Sequence, residues 1–213
     1  IFTSVDSAYK SYRGNYPVTR NYTLGAMGSE MTGMAAQTAA LAGSLQKSDT
    51  SAVRKQSAGI KEGMDKFYKD YSASTDQKVF ANLLKVLCKN LPESQWPSAV
   101  KDAVAKNKAL GTDAALDKYA EEVFANTMFT SKEKLTAFLN NPSTAALEAD
   151  AGYAYYSKTS ADMKKMVDAS VTASFNNLVA RQKEHYIAGL MEKDNKKNMY
   201  PDANSCIRLT YGK

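Results

Sequence analysis

The side chains best suited to nucleophilic or metal chemistry in this sequence are Cys88, Cys206 and His185, the last being the sole histidine. A thiol protease requires a cysteine beside an orienting histidine, and a zinc site requires three or four ligands at close spacing. These three residues match neither pattern. We therefore assign no catalytic residue, no metal ligand and no cofactor from residue types and spacing.

Both Cys88 and His185 have ordinary structural interpretations. Cys88 shares a helical face with Phe80, Leu84 and Leu87, which predicts a buried structural thiol. His185 borders an apolar helical stripe, which predicts a packed or half-exposed imidazole rather than a ligand or a base.

A glycine-rich stretch, GAMGSEMTG from Gly25 to Gly33, contains a Gly-x-x-Gly fragment. A phosphate-binding loop would follow a strand and continue into Lys-Ser/Thr, and neither feature is present. We instead predict a helix over Thr23–Leu45, whose small residues allow another helix to approach closely.

The charge pattern argues against nucleic acid as a partner. Lys and Arg number 28 and Asp and Glu 22, a formal net charge of +6, but the cations are scattered along the chain. Pairs such as Lys164-Lys165 are typical of a solvated helix face.

No apolar run approaches the ~20 residues of a membrane span, so we predict no membrane span. Because the first residue is Ile1, we expect sequence upstream of it.

Helix-forming composition predicts an all-α fold, a multi-helix bundle built along one long C-terminal helix. The stretch Ser143–Asp194 predicts one helix or two stacked end to end, capped by Ser143 or Thr144 and bent near Lys158–Ser160. From Ser160 to Asp194 it would be about 50 Å long, so shorter helices must lie along it. Its apolar seam consists of Met163, Met166, Val167, Val171, Phe175, Leu178, Val179, Tyr186 and Leu190. If that seam is core, Leu178→Ala costs ~2 to 5 kcal/mol.

The remaining helices follow from apolar periodicity and start and stop signals. We predict capping boxes at Ser74 with Gln77 and at Thr130 with Glu133, and a loop over Asn15–Tyr22. The predicted helices cover Thr3–Arg13, Ser48–Tyr71, Ser74–Asn90, Ser94–Leu110 closed by Gly111, a helix capped by Thr112 or Asp113, and Lys132–Leu139.

The C-terminal residues change character. Tyr200–Asn204 predicts a turn, and Cys206–Tyr211 alternates between apolar and polar residues like a strand. A lone strand leaves backbone groups unpaired, so we expect its sheet to be completed by sequence outside this chain. The predicted domains are a helical domain over 1–199, incomplete at its N-terminus, and a turn and strand over 200–213 that return to a domain outside this chain, which the resemblance described next implies to be catalytic.

The same residues carry a resemblance. MYPDANSCIRLTYGK is similar to the segment with which the helical domain of bacterial dipeptidyl-peptidases 7 and 11, a chymotrypsin-like serine exopeptidase family, re-enters its catalytic domain. The matching features are Asp202-Ala203-Asn204, Arg208 and Tyr211-Gly212; Cys206 stands where the family has Thr or a bulky residue. Similar segments lie at Met64–Leu87, Asp117–Phe124 and Ala188–Lys193, so the resemblance spans roughly Tyr22 to Lys213.

The resemblance implies a parent enzyme that removes dipeptides from peptide N-termini by Ser-His-Asp chemistry. Its Gly-Asn-Ser-Gly-Ser nucleophile segment would follow Lys213, and its His and Asp would lie outside this chain; His185 does not correspond to the catalytic histidine. It further implies peptide substrates, a homodimeric parent, a periplasmic or secreted location, and a cap over the substrate cleft as the role of this helical region. No substrate-binding residue is assigned.

A second interpretation belongs to another class of protein. The chain would be a free-standing all-α module that binds peptides or partner helices through an exposed groove. The gene sequence distinguishes the two interpretations. A Gly-Asn-Ser-Gly-Ser run within about a hundred residues downstream, the spacing that the resemblance implies, favours the peptidase. A stop codon after Lys213 favours the module.

Overall fold

The computed structural model describes residues 2–193, which form helices and connecting loops without a strand. The predicted all-α class is therefore confirmed for this part of the chain. The α-helices of residues 2–193 are α1 Phe2–Tyr12, α2 Asn15–Arg20, α3 Glu30–Gln37, α4 Ala39–Gln46, α5 Thr50–Asp70, α6 Ala73–Asn90, α7 Ser98–Lys106, α8 Thr112–Ala125, α9 Lys132–Asn140, α10 Thr144–Ala149, α11 Ala151–Met166 and α12 Ala169–Lys193. The predicted strand Cys206–Tyr211, and the domain boundary near residue 200, lie outside the described residues.

The helices fall into two compact units. Helices α2–α11 make one unit, and α1 with α12 from Ser170 onward makes the other. The hydrophobic core of the α2–α11 unit contains no α12 side chain. The core of α2–α11 is built from the apolar faces of these helices, and Met163, Met166 and Val167, the first residues of the predicted seam, pack against it. The part of the predicted seam from Val171 onward belongs to the other unit.

The α2–α11 core is centred on aromatic side chains of α6, α8 and α11. The ring of Phe80 meets the ring of Tyr155 edge to face, with centroids 4.9 Å apart, and lies 5.7 Å from Phe124. Both Phe80 and Tyr155 are fully buried. Burial of large rings in this geometry contributes more than the same area of aliphatic surface, so these contacts fix how α6, α8 and α11 pack.

Buried carboxylates connect helices that are distant in sequence. Asp76 on α6, only 4% exposed, accepts hydrogen bonds from the backbone N–H groups of Glu30 and Met31 at 2.9 and 2.8 Å. The hydroxyl of Tyr71 donates to the same carboxylate at 3.3 Å. The first N–H groups of a helix have no partner within the helix and carry partial positive charge. Asp76 therefore ties α6 to the start of α3.

Several predicted helix starts are displaced by one or two residues. Helix α6 begins at Ala73 after Ser72, so the predicted capping box at Ser74 with Gln77 is wrong. Helix α9 is capped by Ser131 rather than Thr130: the Ser131 hydroxyl accepts from the N–H of Lys134 at 3.3 Å and donates to Glu133 at 2.7 Å. Neighbouring hydroxyl residues are chemically equivalent caps, and the approach of the preceding chain decides which of them is used.

The predicted helix Ser94–Leu110 is shorter and irregular. A 3₁₀ turn, Glu93–Gln95, precedes α7, and a second one, Lys108–Leu110, follows it. Gly111 then takes a φ of +78°, a left-handed value that glycine adopts readily. Gly111 closes this segment as predicted, but it also precedes α8 directly, so neither Thr112 nor Asp113 is the cap of α8.

The N-terminal part of the unit is more helical than predicted. Asn15–Tyr22, predicted to be a loop, forms α2 and the start of a π-helical turn, Asn21–Ala26. Pro17 lies in the first turn of α2, where a missing N–H breaks no helical hydrogen bond. The predicted helix Thr23–Leu45 is divided into this turn, α3 and α4. Its small residues do permit close approach, because a Cβ on Gly25 would lie 3.3 Å from the Cβ of Leu87.

Within the predicted stretch Ser143–Asp194, the described residues 143–193 form three helices rather than one or two. Ser143 caps α10 as predicted, its hydroxyl accepting from the N–H of Ala146 at 3.2 Å. The predicted bend at Lys158–Ser160 is wrong, because this segment lies inside α11 with Thr159 buried. The break falls instead at Val167, whose backbone is extended, and Asp168, a residue type favoured before a helix, precedes α12.

The apolar stripe of α12 has the predicted phase but not the predicted burial. Val171, Phe175, Leu178 and Val179 are partly buried, no residue of α12 is fully buried, and Tyr186 is 46% exposed. The ring of Phe175 stacks on Tyr12 of α1 with centroids 4.3 Å apart and meets Tyr9 edge to face at 4.8 Å. Helix α1, itself predicted from Val5, Tyr9 and Tyr12, thus covers part of this stripe.

Asp76→Ala should lower the free energy of unfolding by about 3 kcal/mol, because it leaves buried N–H groups of α3 and the Tyr71 hydroxyl without their acceptor. Urea denaturation followed by circular dichroism measures the change. The control is Asp70→Ala on the exposed end of α5, expected to change stability by less than about 0.5 kcal/mol. Equal effects of the two substitutions would contradict the proposed role of Asp76.

Leu178→Ala should cost about 1 to 2 kcal/mol, less than a fully buried leucine, because Leu178 is only partly buried. Thermal and urea unfolding measure it. The control is Ile187→Ala on the same helix, where the side chain is 48% exposed. A loss at Leu178 no larger than the loss at Ile187 would show that the α12 stripe is placed incorrectly.

Candidate functional site

A cleft of about 380 Å³ lies between α7, α8 and α11. Its floor carries the rings of Tyr119 and Tyr155, with centroids 6.1 Å apart. Four alanines, Ala99, Ala103, Ala151 and Ala154, also line it; Tyr119 is partly buried and Tyr155 is fully buried. Alanine at these positions creates space that a larger side chain would fill.

The walls of this cleft are held by hydrogen bonds between elements. The carboxylate of Asp162 on α11 accepts from the N–H of Ser98 at the start of α7, at 2.7 Å. The N–H of Ala151, the first residue of α11, donates to the carbonyl of Asn126 after α8, at 3.3 Å. The Tyr155 hydroxyl donates to the carbonyl of Ala26 at 2.7 Å, which fixes the ring from behind. The three helices are therefore connected at the edges of the cleft.

Two ion pairs lie on the rim. Lys106 Nζ is 3.0 Å from a carboxylate oxygen of Glu122, and Lys158 Nζ is 3.7 Å from Asp102. Both pairs are largely solvated, so they contribute little to stability. They do present both signs of charge beside an aromatic floor, a combination suited to an extended peptide with its own N–H and carbonyl groups.

The chemistry available in the cleft is binding rather than bond cleavage. Burial raises the pKa of Tyr119, with the negative charges of Asp102 and Glu122 acting in the same direction. Burial also raises the pKa of Tyr155. Both phenols therefore stay protonated at neutral pH and do not act as bases; the Tyr155 hydroxyl is already used by the Ala26 carbonyl.

The structure also locates the residues that the sequence singled out. His185 lies on an exposed face of α12, and within residues 2–193 its ring has no hydrogen-bonding partner. The prediction of a packed or half-exposed imidazole is therefore not met by a packed ring, while a half-exposed ring is compatible with this position. No group of three or more His, Cys, Asp or Glu within the described ranges is placed to hold a metal ion.

Cys88 is partly buried and packs against the core beside Leu84 and Leu87, close to its prediction. Burial, aided by the negative charge of Asp113, raises the pKa of the Cys88 thiol to about 12. A thiol is nucleophilic only as the thiolate, so Cys88 is a structural residue. Cys206 lies outside the described residues.

Comparison with known proteins identifies the family of this chain. The sequence profile of the family described as Peptidase S46 matches residues 1–213. This chain belongs to the Peptidase S46 family. It is 31% identical over 169 residues to the Asp/Glu-specific dipeptidyl-peptidase of Porphyromonas gingivalis, a match covering 79% of the chain and 22% of that protein.

Other relatives agree with this membership. Dipeptidyl-peptidase 7 of Capnocytophaga gingivalis is 28% identical over 177 residues, covering 74% of this chain and 24% of the relative. The Asp/Glu-specific dipeptidyl-peptidase of Porphyromonas endodontalis is 26% identical over 147 residues, covering 68% and 19%. The chain thus spans about a fifth to a quarter of the length of these S46 relatives. The resemblance stated from the sequence is confirmed at the level of the family.

The aromatic cleft was not found from the sequence. Its small residues recur at helical spacing, Ala99 with Ala103 and Ala151 with Ala154, and this spacing was the available signal. Such spacing also occurs wherever helices pack closely. Only the three-dimensional arrangement shows that these alanines face a cleft.

No part of the described helices is long and apolar enough to cross a membrane.

The reaction rate of the Cys88 thiol as a function of pH tests whether this thiol is buried and protonated. With a pKa near 12 rather than near 9, the thiolate fraction at pH 8 falls by roughly a thousandfold. In a Cys206→Ser background, Cys88 should react with Ellman's reagent at less than about a hundredth of the rate of glutathione, rising as pH rises toward 12. A rate matching that of glutathione at pH 8 would contradict the buried, protonated thiol.

Proposed function

We propose that this chain is the helical cap region of a serine dipeptidyl-peptidase that releases dipeptides from peptide N-termini. Membership of the Peptidase S46 family over residues 1–213 is the observation that carries the proposal. Relatives named dipeptidyl-peptidase 7 and Asp/Glu-specific dipeptidyl-peptidase support the reaction type. Each of them is about four to five times longer than the region matched, which leaves room for a separate catalytic domain.

In this proposal the described helices contribute no reacting group. A Ser-His-Asp triad needs a histidine held between a hydroxyl and a carboxylate. His185 is the sole histidine of the sequence, and within residues 2–193 it has neither partner. The nucleophile, the base and the oxyanion hole therefore come from the catalytic domain, as the resemblance implies.

The physical contribution of a cap is exclusion and closure. An exopeptidase must admit a chain end and reject the middle of a longer chain, and a helical body over one end of the cleft does this sterically. The aromatic cleft between α7, α8 and α11, with its paired rim charges, is the surface of this unit best suited to contact a peptide. The proposed compartment is the periplasm or the exterior of the cell, and the proposed assembly of the parent is a homodimer.

The reaction is tested on the complete gene product that contains this chain. It should release p-nitroaniline from dipeptidyl p-nitroanilides, and a sulfonyl fluoride that acylates serine nucleophiles should abolish this activity. Substrates with an acetylated N-terminus should not be cleaved, because a dipeptidyl-peptidase recognises the free amine. Cleavage of the acetylated substrate at an equal rate, or full activity after sulfonyl fluoride treatment, would overturn the proposal.

The cap role is tested separately by hydrogen exchange on the same complete protein, with and without a bound dipeptide product. Closure over the cleft should slow exchange of amides in α7, α8 and α11, the helices that form the aromatic cleft. Helix α6, none of whose residues lines that cleft, is the internal control. Protection confined to the catalytic domain would contradict the cap role while leaving the reaction itself unaffected.

A further inference from the structure

A second cleft, of about 500 Å³, lies between α5, the end of α4 and the end of α9. It is separate from the aromatic cleft and shares no lining residue with it. The residues facing it on α5 recur at helical spacing: Thr50, Val53, Arg54, Ser57, Ala58 and Lys61. One face of a single helix therefore supplies most of its polar groups.

The charge of this second cleft is one-sided. Arg54 and Lys61 line it, and no Asp or Glu does. Within residues 2–193 Arg54 forms no ion pair, and Lys61 Nζ donates instead to the neutral side-chain oxygen of Asn140 at 2.8 Å. The nearby carboxylate of Asp49 is engaged as the N-cap of α5, accepting from Ala52 at 3.0 Å. Two cations thus face one space without a compensating anion among the residues that line it.

A buried hydroxyl also faces this space without a partner. Ser57 is 94% buried, and its Oγ makes no hydrogen bond within the described part of the chain. A buried polar atom left unpaired costs about 1 to 3 kcal/mol, so such atoms are rare in folded proteins. A ligand with acceptor atoms would pair with Arg54 and Lys61, and a change of the Ser57 rotamer would bring its buried Oγ to the same ligand.

The apolar residues that line this cleft restrict the chemical class of the ligand. Leu45, Val53, Leu139 and Pro142 are apolar. A free phosphate would satisfy the cations but leave most of the space and these walls in contact with water. A carboxylate attached to an apolar group fills both parts, because the guanidinium fork of Arg54 matches the planar carboxylate in size and geometry.

From this combination we infer that the α4–α5–α9 cleft binds the carboxylate of a peptide, with Arg54 and Lys61 holding the anion, Ser57 donating to it, and the adjoining apolar side chain against Leu45, Val53, Leu139 and Pro142. The residue that best fits is a C-terminal one, whose carboxylate and side chain share one Cα. The inference rests on this geometry alone and does not depend on the proposed function.

The test is a titration of the ¹⁵N-labelled chain with N-acetyl-leucine, followed by two-dimensional NMR. Backbone amides of residues 50–61 and 139–142 should shift in a saturable way, and added salt should weaken binding. N-acetyl-leucinamide, which lacks the anion, should cause no saturable shift. Inorganic phosphate should bind more weakly than N-acetyl-leucine.

Substitutions locate the site. Arg54→Gln and Lys61→Gln should each weaken binding by roughly tenfold, the loss expected for one charge-assisted hydrogen bond. Lys55→Gln, an equal loss of charge at an exposed neighbouring position on α5, should leave the affinity within about twofold. Ser57→Ala should weaken binding by a smaller factor. The spectrum of each free variant shows whether it is folded.

Three outcomes would overturn the inference. The first is no saturable shift at 100-fold excess of N-acetyl-leucine over the chain. The second is equal binding by Arg54→Gln and Lys55→Gln, which would mean that the anion is held by general charge. The third is phosphate binding as tightly as the carboxylate, which would identify a simple anion site and remove the role of the apolar walls.

Discussion

The α2–α11 unit depends on buried and partly buried carboxylates that bind the starts of helices. Asp76 on α6 holds the first N–H groups of α3, and Asp162 on α11 holds the start of α7. Asp150 caps α11 itself and also accepts from Thr127 and Met128. Each of these acids replaces water at polar groups that helix formation leaves unpaired. The aromatic core around Phe80 and Tyr155 can be closely packed because these acids satisfy the helix ends around it.

This constraint explains which parts of the fold could be predicted. Long helices with a clear apolar stripe, α5 and α6 above all, were predicted nearly to their ends, because their own sequence sets the 3.6-residue period. The breaks between short helices were not. Ser72 and Ser131 replaced the predicted caps, and Val167 replaced the predicted bend at Lys158–Ser160, because distant partners decide these positions. A hydrogen bond between distant residues, such as the one from the N–H of Ser98 to Asp162, leaves no local sequence signal.

The candidate sites also differ in how far local sequence could predict them. Cys88, predicted to be buried because it shares a face with core leucines, packs against the core but is only partly buried, and His185 lies at an exposed position of α12. Both clefts were missed. The aromatic cleft needs α7, α8 and α11 together, and the basic cleft combines Arg54, Ser57 and Lys61 of α5 with residues of α4 and α9. Neither set is contiguous in sequence. Family membership supports the proposed reaction, and we propose that the described helices contribute shape and binding to it.

We expect the isolated chain to fold but not to hydrolyse a dipeptidyl substrate. The isolated chain of residues 1–213, confirmed to be helical by circular dichroism, is incubated with a series of dipeptidyl p-nitroanilides beside the complete gene product. We predict release of p-nitroaniline by the complete protein, and release indistinguishable from buffer by the isolated chain. Turnover by the isolated chain above that baseline would contradict the central claim that these helices cover the site of cleavage and take no part in the bond-breaking step.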